Sequence, residues 1–334
     1  CVRTQKKCRV AFPPTCVKRW PAQPRSIMQD SRDKTAVDAE GRSRLEAIGF
    51  MIAAVVLFSA LDATAKYLVT REGLPVVQVV WARFVVQFSG LLLMVPAFGV
   101  MSTRALFTTS KLSLQLVRSC LMVATTAFNF MAIEHLRLDQ AITIVFLAPL
   151  VVALLAGPLL GEWVGRRRFI AILFGFTGVL VAVRPGFGAV HPAVVYAFAA
   201  MLAYALFMLL TRYMARYDRP LVTLFYSMFV GTFAGAPIAF ASWQAPESAL
   251  AWILLGTLGI FGGLGHWLFL HAYQRAPASS IAPFLYMQLL FMVAFGFAIF
   301  GDLPDSWTLA GAGIIVASGV YLIHREREAA RGRR

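Results

Sequence analysis

The amino-acid sequence predicts an all-α integral membrane protein with ten transmembrane helices in two inverted five-helix repeats. Of its 334 residues, 59% are hydrophobic and only 14% are charged, which leaves too little polar surface to cover a water-soluble globule of this size. Apolar runs of roughly 20 residues, enough to cross a bilayer as a helix, recur almost to the C-terminus. No length remains for a soluble domain, so the chain is expected to act inside the bilayer, mainly in transport.

The predicted spans are apolar runs that end at charged residues, proline or glycine. The first five form a predicted repeat over residues 47–184, and the second five form a repeat over residues 190–324. The individual spans are residues 47–69, 75–98, 114–133, 140–160, 168–184, 192–212, 220–241, 250–272, 279–300 and 306–324.

The N-terminal segment differs in composition from the rest of the chain. Residues 1–27 are rich in Arg, Lys and Pro, hold three of the four cysteines and lack the apolar core of a signal peptide. We interpret them as a non-native upstream extension and expect translation to start at Met28. Residues 28–46 are then a cytoplasmic leader, and residues 325–334 are a basic cytoplasmic tail. The remaining cysteine, Cys120, lies in an apolar run, so no disulfide framework is expected.

The distribution of basic residues predicts the orientation, because Lys and Arg are retained on the cytoplasmic side during insertion. With both termini cytoplasmic, the inner segments after Met28 hold 19 basic residues and the outer loops hold three, Arg71, Arg137 and Arg184. The formal net charge is +15, of which seven basic residues before Met28 account for +7, and the asymmetry explains the remaining +8 without a nucleic-acid partner. We expect a multi-pass protein of a bacterial cell inner membrane, as a monomer or homodimer.

An internal repeat relates the two halves at an offset of 140 residues. Residues 132–141 align with residues 272–281, and the Gly-Glu pair at 161–162 aligns with the Gly-Asp pair at 301–302. A repeat with an odd number of spans places its second copy upside down in the membrane, as in many secondary transporters. The pattern therefore predicts a central site between the halves.

The recurring features have a family likeness. A basic residue closes the first helix (Lys66), an arginine lies in the second (Arg83), and an acidic residue follows glycine after the fourth and ninth (Glu162 and Asp302). With these features the chain resembles the drug/metabolite transporter superfamily, ten-helix type with two EamA domains, over residues 47–324. The resemblance implies membrane transport rather than catalysis.

Within that superfamily the chain is similar to S-adenosylmethionine uptake carriers and to riboflavin carriers. The similarity to the first group lies in LDATAKYL at 61–68, VRS at 117–119 and APFLY at 282–286. The S-adenosylmethionine carriers have an acidic residue two places after that tyrosine, where this chain has Gln288. Because a site without this carboxylate has less reason to hold a sulfonium cation, the difference favours riboflavin.

Asp62 and Lys66 are ionisable residues four apart in the first helix. Such groups are costly at membrane depth, so each requires a partner or a role. They fit an i, i+4 ion pair with Lys66 reaching the headgroups. Alternatively, Asp62 faces a cavity and binds a substrate donor or a coupling proton, for which it is the first candidate.

Arg83 and Gln87 lie one turn apart on the second helix, with Trp81 close by. Together they offer hydrogen-bond donors and an aromatic wall to one ligand. A buried pair between Arg83 and Asp62 is an equally open interpretation.

The second half has a comparable set of aromatic and amide side chains. Trp267 and His271 are four apart on the eighth helix, and Tyr286 and Gln288 lie in the ninth. Stacking on aromatic rings and edge recognition by amides suit a flat heterocycle. Helix packing and interfacial anchoring are the alternative roles. His266 and His271, five apart, are poorly placed to share a metal, so neither a metal nor a cofactor is expected.

These features favour a secondary carrier driven by protons or by the substrate gradient. The sequence contains no phosphate-binding loop with its lysine. An intramembrane enzyme is disfavoured because neither Gly-x-Ser-x-Gly nor His-Glu-x-x-His occurs, and a channel would show a polar filter or a charged ring. The substrate we expect is a heteroaromatic vitamin or cofactor such as riboflavin, taken up. S-adenosylmethionine uptake and efflux of amino acids or other metabolites are the alternatives.

Overall fold

A computed structural model of the chain describes residues 27–97, 102–160, 191–214, 216–275, 284–285 and 287–331, with isolated residues between 170 and 181. The chain divides into two compact units, residues 1–42 and 43–334. In the first unit the described residues are helical. Across the described ranges every regular element of both units is a helix and none is a strand, so the predicted all-α class is confirmed.

The helices are numbered α1 to α11 in chain order. A five-residue π-helix, Gly296–Phe300, follows α10. The α-helices are α1 Ile27–Thr70, α2 Val76–Ala97, α3 Thr103–Leu106, α4 Leu112–His135, α5 Leu138–Val145, α6 Ala148–Leu160, α7 Val194–Met214, α8 Pro220–Ala241, α9 Ala249–Arg275, α10 Met287–Phe295 and α11 Ser306–Arg331.

Six helical segments among the described residues are long and apolar enough to cross a membrane: Leu45–Thr70, Val76–Val95, Leu112–His135, Val194–Met214, Pro220–Ala241 and Ala249–Phe269. Three shorter apolar segments are Leu138–Val152, Met287–Phe300 and Ser306–Ser318. These nine segments coincide with nine of the predicted spans. The other predicted span, residues 168–184, lies largely outside the described residues, so the multi-pass membrane fold is confirmed and the count of ten stays a prediction.

Two helices extend beyond their predicted ends. The first span was expected to start at residue 47, but α1 starts at Ile27; the last was expected to end at residue 324, but α11 continues to Arg331. Both extensions contain several Ala, Glu and Arg residues, which are good helix formers. Hydropathy marks where a span enters lipid, whereas helix propensity decides where the helix itself ends.

The fourth predicted span is interrupted in the middle. The helix α5 ends at Val145 and α6 begins at Ala148, with a tight turn in which the Leu147 N–H donates to the Ile144 carbonyl at 3.0 Å. Pro149 follows at once, and its missing N–H deprives the continuous helix of one bond. Interrupted helices inside a membrane are tolerated where protein surrounds them or where they line a cavity.

Glycines let α8 and α9 lie close against α2. A Cβ at Gly231 of α8 would overlap the ring of Phe84, and one at Gly259 of α9 would overlap Val86. Phe84 is fully buried in the main hydrophobic core. Close approach of backbones at small residues is how membrane helices gain packing contacts without a hydrophobic driving force. The two halves are thereby pressed together along α2.

A polar contact also connects loops of the two halves. Asp218, between α7 and α8, accepts hydrogen bonds from the Thr109 hydroxyl, the Ser110 N–H and the Gln115 amide. Burial acts to raise the pKa of this carboxyl, but these three hydrogen bonds hold the pKa of Asp218 below its ordinary value. The carboxylate is therefore charged at neutral pH and ties the two loops together.

The glycine contact predicts a position-specific effect on stability. Gly231→Ala should lower the thermal unfolding temperature of the purified protein, because the fully buried Phe84 ring has no free space to move into. Overpacking of this kind costs about 1–3 kcal/mol. The matched control is Gly256→Ala in α9, where an added Cβ meets nothing within 4 Å. Equal unfolding temperatures for the two variants would contradict the packing described here.

Candidate functional site

Polar side chains from four helices of both halves gather between α1, α2, α4 and α9. We call this group the central polar cluster. Its members are Asp62 of α1, Arg83 and Gln87 of α2, Thr126 and Asn129 of α4, and His266 of α9.

Asp62 is the carboxylate of the cluster. It accepts a hydrogen bond from the Asn129 amide at 3.0 Å, and the Arg83 guanidinium is near enough to attract it electrostatically. The side chain is partly exposed rather than fully buried. Asp62 is therefore held by neighbours that favour its charged form and still has a face that a ligand or a proton can reach.

Arg83 is buried with its hydrogen-bonding capacity only partly used. Its Nη1 donates to the Thr126 hydroxyl at 3.1 Å, and its guanidinium carbon lies 5.7 Å and 6.0 Å from the ring centres of Phe84 and Phe130. Its Nε has no hydrogen-bond partner among the described residues. The sequence left open a direct pair between Arg83 and Asp62. Among the described contacts, no hydrogen bond joins these two side chains. Asp62 instead accepts a hydrogen bond from Asn129, and Arg83 donates one to Thr126.

Gln87 and His266 carry further unpaired groups. Gln87 is 3% exposed, yet neither its amide nitrogen nor its amide oxygen has a partner among the described residues. The buried Nε2 of His266 likewise has no hydrogen-bond partner among the described residues. The His266 and Phe58 rings pack edge to face, with their centres 5.0 Å apart. Buried polar groups are nearly always paired in proteins, so each exception calls for an explanation.

Sequence reasoning found half of this cluster. Asp62, Arg83 and Gln87 were predicted and lie together, whereas Thr126, Asn129 and His266 were missed. The available signal was the i, i+3 spacing of Thr126 and Asn129, which places two polar groups on one face of an otherwise apolar helix. No sequence pattern points to His266, because its position relative to Gln87 depends on the packing of α9 against α2.

Lys66 lies in a different contact from the predicted one. Its ammonium is 3.4 Å from the Asp302 carboxylate, donates to the Leu136 carbonyl at 2.9 Å, and lies 4.9 Å from the Phe300 ring centre. Among the described contacts, the i, i+4 ion pair with Asp62 is not formed. Because Lys66 belongs to the first half and Asp302 to the second, this ion pair connects the two repeats.

Trp81 lies away from the cluster's unpaired groups. Its indole N–H donates to the Thr232 carbonyl of α8 at 2.9 Å, and its ring packs on Phe240 and Trp243 at 5.1 and 5.9 Å. The donor that we expected to face a ligand is engaged in helix packing. A role of this ring as an aromatic wall stays a prediction.

The remaining predicted residues are dispersed. Trp267, which is 43% exposed, stacks on His271 with ring centres 4.1 Å apart, near Phe50. Gln288 contributes its backbone carbonyl to the Ser59 hydroxyl at 3.4 Å. Tyr286 lies outside the described residues. Their binding roles stay predictions, and in the described part of the chain no group of three His, Cys, Asp or Glu residues could hold a metal.

A second buried arginine joins the halves. Arg118 of α4 is 4% exposed and donates to the Thr211 hydroxyl at 2.7 Å, the Thr223 carbonyl at 2.9 Å and the Ser227 hydroxyl at 2.8 Å. Its guanidinium carbon also lies 4.5 Å from the centre of the Phe207 ring. The structure buries this residue between α4, α7 and α8. These bonds assign it to the joint between the repeats.

Comparison with known proteins agrees with this architecture. The sequence pattern of the EamA-like transporter family matches twice, over residues 45–184 and 191–324. A solved crystal structure superposes with a TM-score of 0.58 at 17% identity, over 82% of this chain and 96% of that one. At this identity the likeness shows the fold alone.

Relatives of named function cover most of the chain. An S-adenosylmethionine uptake transporter of Rickettsia conorii is 28% identical over 86% of this chain and 96% of its own length. A riboflavin transporter of Vibrio cholerae is 26% identical over 85% and 95%. A pseudopaline exporter of Pseudomonas aeruginosa is 25% identical over 79% and 91%. All three are named as transporters of small molecules; the first name specifies uptake and the third specifies export.

The ion pair between Lys66 and Asp302 predicts a double-mutant effect. Asp302→Leu leaves the buried ammonium without its counter-charge and should destabilise the protein by up to roughly 3–5 kcal/mol, the cost of removing one partner of a buried ion pair. Lys66→Met combined with Asp302→Leu should recover most of that loss, because an apolar pair needs no compensation. Thermal unfolding of the purified variants measures both effects. A double variant whose loss equals the sum of the single losses would show that the two side chains do not interact.

Proposed function

The chain belongs to the EamA-like transporter family, and from this premise we propose that it is a secondary carrier that takes up a heteroaromatic metabolite through the central polar cluster. The family and the named relatives make it a membrane transporter of a small molecule and not an enzyme. The substrate, the direction of transport and the coupling ion are the parts that we propose.

The unpaired groups of the cluster carry the proposal. Arg83 Nε, both polar atoms of Gln87 and the Nε2 of His266 are buried without partners among the described residues. A buried group without a hydrogen bond costs about 1–3 kcal/mol. Such a cost in one place is explained if a substrate, or water in its absence, supplies the missing partners. The side chains offer both donors and acceptors, as recognition of a polar heterocycle requires.

The location of the cluster supports a carrier. Arg83 and Gln87 belong to the first half, and His266 belongs to the second. In inverted-repeat carriers the substrate lies at the interface of the repeats, whose relative motion exposes it to either side in turn. When a site contains groups from both halves, that motion changes the distances between them. Alternating access requires such a change.

Riboflavin is our first candidate substrate and S-adenosylmethionine the second. Relatives of both names match this chain at similar identity. Riboflavin fits better because the place of an acidic residue is taken by Gln288, and because Arg83 opposes the single carboxylate of the cluster. Arg83 would repel a permanent sulfonium cation, and the cluster has no second carboxylate among its described residues to balance that charge.

We propose uptake across a bacterial inner membrane with both termini cytoplasmic. The excess of basic residues in the inner segments supports this orientation. The name of one relative specifies uptake, and the exporter shows that the opposite direction occurs among similar proteins.

Asp62 is the proposed coupling group. It is partly exposed, accepts one hydrogen bond from Asn129 and is attracted by Arg83. A proton that binds Asp62 removes the negative charge opposite Arg83. The guanidinium is then free to donate to a carbonyl oxygen of the substrate, so that proton and substrate favour each other's binding.

The deciding measurement is uptake of labelled riboflavin and, separately, labelled S-adenosylmethionine by cells unable to import either. Saturable uptake of riboflavin alone is the expected result. Uptake of S-adenosylmethionine alone would replace the substrate, and failure of both with the protein present in the membrane would overturn uptake of this class. Loading the cells and measuring release then tests for efflux.

Replacing Asp62 tests the coupling. Asp62→Asn keeps the side-chain volume and removes the proton-binding group, so uptake should lose its dependence on external pH and fall at least tenfold under a proton gradient. Glu134→Gln in the last turn of α4 is the matched control and should behave like wild type. Surface labelling or fractionation verifies equal amounts in the membrane. An unchanged pH series for Asp62→Asn would exclude this residue from coupling.

A further inference from the structure

Gln87 of α2 and Phe58 of α1 contact glycines of α9 that lie within one turn of His266. A Cβ at Gly262 would overlap the Gln87 amide nitrogen, and one at Gly265 would overlap the Phe58 ring. His266 follows Gly265 directly and lies one turn, about 6 Å, beyond Gly262. Because glycine has no side chain, Gln87 packs against α9 at Gly262, one turn before His266, and Phe58 packs against it at Gly265, next to His266. Three helices supply these groups.

The groups in this arrangement complement the edge of a flat ring. A glutamine amide offers a donor beside an acceptor, the geometry that pairs with two adjacent positions of a nucleobase edge. The Nε2 of His266 adds a third position as donor or acceptor according to its tautomer. The Phe58 ring, 5.0 Å from the His266 ring, supplies an aromatic neighbour for the body of the ligand.

Another glutamine of the same helix shows what a structural glutamine looks like. Gln78 of α2 is fully buried, and its amide nitrogen donates to the Gln244 carbonyl at 2.8 Å while its oxygen accepts from the Gln244 N–H at 3.0 Å. Both ends of Gln78 are thus used to hold a loop. Gln87, equally buried nine residues later, uses neither end in the described structure.

We propose that Gln87 and His266 form the subsite that reads the hydrogen-bonding edge of a planar nitrogen heterocycle and so determine the ring specificity of this transporter. The chemical class is a ring with adjacent donor and acceptor positions, such as the imide edge of a pyrimidinedione or the aminopyrimidine edge of adenine. The inference rests on the proposed function and deepens it, since the flavin ring carries the first kind of edge and S-adenosylmethionine the second.

The consequence is selectivity without a large gain in stability. A site built to hydrogen-bond a ring edge rejects an analogue that lacks it, because its own buried groups are then left unpaired. Each bidentate pair discriminates by roughly 5-fold to 150-fold. Replacing Gln87 by an apolar side chain removes both the recognition and the unpaired groups, so selectivity is lost while stability is kept.

Binding of ring probes to the full-length protein in lipid nanodiscs tests this. The probes are two matched pairs: lumichrome with its N3-methyl derivative, and adenosine with N6,N6-dimethyladenosine. Wild type should bind the unmethylated member of at least one pair about tenfold or more tightly than the methylated member. Gln87→Leu should reduce that ratio to below about threefold, and so should His266→Phe. His266→Gln serves as a second variant if the phenylalanine variant does not fold.

Gln78→Leu is the matched control, with the same substitution in the same helix. Gln78→Leu should lower the thermal unfolding temperature and keep the wild-type binding ratio. Gln87→Leu should keep the unfolding temperature and reduce the binding ratio. The inference is overturned if no unmethylated ring binds wild type, if both members of each pair bind equally, or if the Gln87 and His266 variants keep the ratio.

Transport and binding separate the two proposals. Saturable uptake by wild type together with unchanged ratios in the variants refutes the ring-edge subsite and leaves the uptake proposal standing. A ratio that depends on Gln87 and His266, without uptake of either labelled substrate, supports the subsite and refutes uptake of those two compounds. Each result therefore bears on one proposal at a time.

Discussion

Polar side chains inside the spans must find their partners within the protein, because lipid tails offer none. Lys66 uses a carboxylate and a carbonyl, and Arg118 uses two hydroxyls and a carbonyl. The partners of Arg118 lie on α7 and α8, and those of Lys66 lie just after α4 and just after the π-helix, so satisfying the polar groups also decides which parts of the chain meet. Gln87 is the contrasting case, since it is buried in the same layer of helices and unpaired in the described structure.

The connections between the halves are suited to motion. Lys66 with Asp302, Arg118 with the α7 and α8 groups, and Asp218 with the loop before α4 are each an ion pair or a few hydrogen bonds. Such contacts contribute about 1 kcal/mol each in net terms. A carrier whose halves rock needs contacts that stabilise one arrangement and that are replaced, in the other arrangement, by contacts of similar free energy. These polar contacts meet this need, whereas the apolar packing of α8 and α9 against α2 would cost far more to separate.

The sequence predicted the parts of the fold that depend on local pattern. Span positions follow from apolar runs. The partners of polar residues could not be predicted in this way. Lys66 has a carboxylate four residues before it, yet it pairs with Asp302, 236 residues later. Asp62 and Arg83 stand out because charges are rare in spans, whereas His266 gains meaning only from the packing of α9 against α2.

The two proposed roles are physically linked through Arg83. This residue lies within electrostatic reach of Asp62 and one helical turn from Gln87, so its charge acts on both positions. When Asp62 is ionised, the guanidinium is balanced and has little reason to bind a neutral ring. When Asp62 is protonated, the guanidinium needs another acceptor, and the carbonyl of a ring whose imide edge lies on Gln87 can supply it. Proton and ring then share one arginine, and neither a second site nor a long relay is required for coupling.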